Sequence, residues 1–94
     1  MNLGMMKMNN VYLVRDEYCN ENSGCFDDIR IYVCGTYEKA IKIFGEIRKN
    51  IDEFVEDGTF DKIEENKNSY CAYEDGNYTY NHYSVSIEKK EVLV

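Results

Sequence analysis

Cys71 and His82 are the side chains of this 94-residue sequence whose pairing would do the most chemistry. A thiol beside an imidazole is a nucleophile with its base, or half of a metal site. A two-residue hairpin turn at Gly76-Asn77 places the two directly opposite each other on neighbouring strands. A nucleophile also needs an orienting group, oxyanion donors and a cleft, and a two-sided hairpin provides none of these. Cys19, Cys25, Cys71 and His82 make a four-ligand zinc set on paper. The cysteines, however, fall at C-x5-C-x8-C-x36-C without a C-x-x-C knuckle, and His82 is the only histidine. The expectation is a non-enzymatic protein with no catalytic residue, no cofactor, no metal, and reduced thiols.

Charge is the stronger signal. Nine acids lie between positions 52 and 75 (Asp52, Glu53, Glu56, Asp57, Asp61, Glu64, Glu65, Glu74 and Asp75) against Lys62 and Lys67, a sum of −7. The other 70 residues hold nine acids and nine bases, so this one segment carries the whole net charge of −7. Such a run is most often a solvated surface that keeps a protein soluble. It lacks the D-x-D-x-D-G spacing and terminal Glu of a calcium loop. As a recognition surface it repels phosphate backbones and attracts basic ones, so the expected partner is a basic protein that handles nucleic acid, and not nucleic acid itself.

The elements that must position these residues follow from pattern. Val11 to Tyr18 and Asp28 to Cys34 read as strands, joined by the Asn-, Ser- and Gly-rich loop Cys19 to Asp27. Thr36 is a helix N-cap with Glu38 in the first turn. Tyr37, Ala40, Ile41, Phe44, Ile47, Ile51, Phe54 and Val55 then recur at intervals of three and four, and Gly58 ends the helix. Thr59 to Ser69, anchored only by Phe60 and Ile63, reads as a short helix or an ordered loop. Tyr70 to Glu74 and Tyr78 to Val94 complete a hairpin around Asp75-Gly76-Asn77, the last strand bent near Glu88 to Glu91. The fold class is α+β, ordered β-β-α-β-β. It predicts a four-stranded, mainly antiparallel sheet with one long helix on one face, formed by residues 11–94 after a flexible leader over 1–10. No apolar run approaches the roughly 20 residues that cross a bilayer, and the Met-rich start has no signal-peptide core, so a soluble cytoplasmic protein is expected.

One helix covers one face of a sheet. Across the 70–94 hairpin, parity assigns Tyr70, Ala72, Tyr83, Val85 and Ile87 to the covered side and Cys71, Tyr73, Tyr78, Tyr80 and His82 to the other. The alternation of Ile29, Ile31 and Val33 suggests that they point inward, leaving Arg30, Tyr32 and Cys34 outward. Tyr32, Tyr73, Tyr78 and Tyr80 are then candidates for an aromatic partner or dimer face, since tyrosine tolerates water while supplying contact area. Cross-strand tyrosine pairs that merely stabilise the sheet are the commoner explanation.

The pattern VYLVRDEY, then IRIYVCGTYEKAIKIFGEI, then YSVSIEKKEVLV resembles the small, acidic, single-domain proteins of phages and mobile elements of low-GC bacteria, anti-CRISPR proteins among them. The resemblance covers most of the chain from Val11 onward and lies in a strand-helix-strand pattern with the TYEKA helix start. It implies an inhibitor of a host immune complex that acts by nucleic-acid mimicry in the host cytoplasm. The alternative is a homodimer whose tyrosine face binds a small ligand such as a nucleotide, with Arg30 or Lys89 meeting the phosphate.

Overall fold

A computed structural model describes residues 8–19, 27–74 and 81–93. In chain order the elements are β1 (Met8–Cys19), β2 (Asp27–Cys34), α1 (Tyr37–Glu56), β3 (Lys62–Asn66), β4 (Ser69–Tyr73) and β5 (His82–Leu93). The strands form one antiparallel sheet in the order β2-β1-β5-β4-β3. The α+β class stands, but the sheet has five strands and not four. The additional strand is β3, inside the stretch read as a short helix or loop. All five of its residues are exposed, so it buries nothing and shows no alternation. Backbone pairing from Lys62↔Tyr73 to Asn66↔Ser69 holds it in place. Its turn is set by the Asn66 side chain, which accepts from the Asn68 N–H at 3.1 Å.

β1 and β5 form the spine of the sheet, paired without interruption from Met8↔Leu93 to Cys19↔His82. The pairing runs through Glu88 to Glu91, where a bend was expected. Met8 to Asn10, assigned by composition to the leader, belong to β1.

The helix is specified at both ends. Thr36 Oγ1 accepts from the Lys39 N–H at 3.2 Å. At the other end Gly58, at φ +87°, donates to Val55 O while Thr59 N donates to Phe54 O. These are the two closing bonds of a Schellman motif, whose left-handed residue glycine adopts without strain. The chain then folds back so that Phe60 packs on Phe54, ring centroids 5.9 Å apart. Ala40, Phe44, Ile47 and Ile51 are the buried stripe of α1. They meet Val14, Tyr70, Ala72, Val85 and Ile87 of the sheet. Ile41 stays 40% exposed.

Register decides which residues face the helix. On β4 and β5 the expected set, Tyr70, Ala72, Tyr83, Val85 and Ile87, is packed beneath α1. On β2 the assignment is reversed. Val14, fully buried, pairs with Tyr32, so Tyr32 and Cys34 share its covered side. Ile29, Ile31 and Val33 turn to the opposite face, 42%, 55% and 68% exposed. Alternation marks a strand but does not say which way it faces. That is set by the offset between Val14 and Tyr32, which depends on how many residues the connecting loop takes up.

Candidate functional site

The acidic segment folds into a rim along one edge of the molecule. Asp52, Glu53 and Glu56 lie in the last turns of α1, Asp57 caps it, Asp61 follows, and Glu64 and Glu65 lie on β3, the sheet's edge strand. By strand alternation Glu65 falls on the helix side and Glu64 on the other, so the acids surround an edge instead of tiling one plane. Glu74 is exposed beyond β4 and accepts from Asn81 Nδ2. Asp75 lies outside the described residues.

Asp52, Asp57, Glu64, Glu65 and Glu74 already have internal work. Asp52 accepts the Tyr70 hydroxyl at 2.6 Å. Burial and this bond push the Tyr70 phenol up to about 12. Glu65 pairs with Arg48 at 2.9 Å, and the Arg48 guanidinium lies 4.3 Å from the Tyr70 ring centroid. Asp52, Tyr70, Arg48 and Glu65 thus tie α1 to β4 and β3. Asp57 accepts from the Thr59 side chain at 2.6 Å and its N–H at 2.9 Å, bonds that hold the carboxyl below its ordinary value. Glu74 is held by Asn81 as above.

Glu53 and Glu56 are different. Both are exposed, neither has an ion pair among the described residues, and the last turn of α1 contains no base. Carboxylates there face the negative end of the helix dipole, at a cost of about 0.3–1 kcal/mol each. Glu64, 3.5 Å from the Tyr73 hydroxyl, is the exposed acid on the opposite side of the edge.

The aromatic face is dispersed. Tyr73 lies on the uncovered side, Tyr32 packs on the core beneath α1, and Tyr78 and Tyr80 lie outside the described residues. Tyrosines gather under the helix instead. Tyr12 meets Tyr37 edge-on at 5.4 Å, and Tyr18, Tyr83 and Phe54 contact one another at 5.3–5.9 Å. A cavity of about 370 Å³ beside the latter is lined by Asp16, Tyr18, Asp28, Arg30, Phe54 and Tyr83. Burial pushes the Asp16 carboxyl up, against the opposing pull of Arg30. With two carboxylates to one guanidinium, this cavity disfavours the phosphate of a nucleotide.

Cys71 and His82 are not directly opposite. Cys71 pairs with Ser84, and His82 lies between Tyr73 on β4 and Cys19 on β1. The register is offset by two residues from that of a Gly76-Asn77 turn, and the turn residues themselves lie outside the described set. His82 is buried, and its Nε2 lies 3.1 Å from Glu17 Oε2. Glu17 was not singled out from sequence, because only the pairing Cys19↔His82 brings it alongside. No group of three or more His, Cys, Asp or Glu that could hold a metal occurs among the described residues. No described helix is long and apolar enough to cross a membrane. No family model, curated protein or solved structure matches this chain, which leaves the acidic segment and the sheet face away from α1 as its own pointers to function.

Proposed function

We propose that this chain is a non-enzymatic acidic binding protein that docks the rim of α1, the 57–61 loop and β3 on a basic surface of a partner protein, of the kind that handles nucleic acid. The observation that carries this reading is the placement of Glu53 and Glu56. They are exposed, unpaired among the described residues, and sit where they destabilise their own helix. A solubilising charge can be placed anywhere on a surface. A charge kept where it costs stability points to use. The acids are carried on a helix and a paired strand, the kind of rigid support that competition for a basic groove requires. Inhibition of a host immune complex is the specific form suggested by the resemblance to phage-encoded proteins.

The test separates recognition from folding. Asp52, Asp57, Glu64 and Glu65 make internal bonds, so the informative variant reverses Glu53 and Glu56 to Lys and spares them. Tagged protein is incubated with nuclease-treated host lysate at low and high salt. The native chain should retain a basic protein that high salt releases, because screening acts on exposed charge. This double variant should keep its circular dichroism spectrum and lose the partner. Equal capture by the variant overturns the proposal.

A further inference from the structure

The two edges of the sheet are built in opposite ways. β3 is five residues long and carries Lys62, Glu64 and Glu65, the short charged edge that resists pairing with another chain. β2 is eight residues long (DDIRIYVC) and its outer side has no strand partner among the described residues. On the face away from the helix it presents an apolar row of Ile29, Ile31 and Val33, 42%, 55% and 68% exposed, whose neighbours on β1 are Glu17, Arg15 and Leu13 respectively. An edge strand of this kind is a template for association.

The geometry points to a second copy of this chain as its occupant: β2 pairs antiparallel with β2 of the copy across a two-fold axis, giving a continuous ten-stranded sheet. Two-fold pairing of an edge requires the axis to be normal to the sheet, which leaves both helices on one face and admits only registers centred on a residue. The middle of β2 offers two such centres. Centring on Arg30 sets two guanidinium groups opposite each other. Centring on Ile31 sets Ile31 against Ile31, Ile29 against Val33 and Val33 against Ile29 on the uncovered face. On the helix side it sets each Arg30 against the other copy's Tyr32, a favourable cation-aromatic pair. The Ile31 register therefore wins, and it also matches the whole span 28–34.

Long-range charge favours the same arrangement. The groove between β2 and α1 is lined by Lys39, Lys42 and Glu46 with Val33, Cys34 and Ile43, so both signs occur along this edge. Glu64 and Glu65 lie on the opposite edge strand. At about 4.8 Å between strands, the two β3 strands of such a dimer stand roughly 43 Å apart, several times the ~8 Å screening length at physiological salt. Pairing through β3 would bring the acid rims together.

This inference is independent of the acidic-rim reading, and its experiment does not involve the partner. The full chain is examined by sedimentation equilibrium, and single cysteines are placed on β2 in a Cys25→Ser background, where Cys19, Cys34 and Cys71 are buried. A dimer is expected, with Ile31→Lys shifting it to monomer at least tenfold in dissociation constant while the circular dichroism spectrum is kept. Under mild oxidation Ile31→Cys should crosslink to itself. Ile29→Cys and Val33→Cys should crosslink only when the two variants are mixed. A strict monomer at millimolar concentration overturns the inference. So does a dimer that is indifferent to Ile31→Lys or that crosslinks without this register.

Discussion

Tyr70 shows how one side chain can serve two layers. Its ring is buried in the core under α1, and its hydroxyl reaches out to Asp52, with Arg48 over the ring. Tyr70→Phe keeps the ring and leaves the Asp52 carboxylate without this donor. A loss of about 0.5–1.5 kcal/mol in denaturant unfolding is expected. The pH dependence carries a second signature. The phenol's pKa is raised from 10.0 to about 12 in the folded chain, so the unfolded chain releases this proton first. The stabilisation is therefore complete below pH 10 and is lost as pH rises through about 12. Alkaline melts of Tyr70→Phe should lack that component of the decline. Neither partner was paired with the other from sequence: Asp52 was counted only among the acids and Tyr70 only among the core residues. A bond between residues 18 apart is set by how the helix crosses the sheet.

Among the elements, α1 was the most legible. A helix that buries one stripe must repeat its apolar residues every three or four positions, and its ends need Thr36 and Gly58 to satisfy the backbone. β3 was not legible, because a fully exposed edge strand repeats nothing. The orientation of β2 is not legible because both of its faces contain large side chains, and the deciding register, Val14 opposite Tyr32, is not written in β2 itself. The acidic composition of the rim could be read directly, whereas its division into internally bonded and exposed acids could not. That division yields a prediction for the helix itself. Reversing Glu53 and Glu56 to Lys removes two charges that oppose the dipole and adds two that complement it. The double variant should melt at a higher temperature than the native chain, by about 0.3–1 kcal/mol per site, with the gain shrinking in high salt. Greater stability with weaker partner capture would be the expected signature of a surface kept for recognition.

On the scale of the whole molecule, negative charge gathers along the β3 edge and apolar surface along the β2 side of the uncovered face. Between them runs β5, the last strand in chain order and the central one in the sheet, paired with β1 on one side and β4 on the other. β1 and β2 make one ribbon, β3 and β4 another, and among the described residues no strand pairing joins the two ribbons except through β5. A chain cut after Glu74 should lose most of its sheet signal in far-ultraviolet circular dichroism even though it keeps four of the five strands and the whole helix. The same arrangement constrains how the sheet can close during folding. Without β5 the chain has two strand pairs and a helix but no complete apolar layer for that helix to rest on. The sheet therefore closes only as β5 is inserted, and a half-made form without it, with β1 and β4 both offering open edges, is the state with most to pair with in a neighbouring molecule.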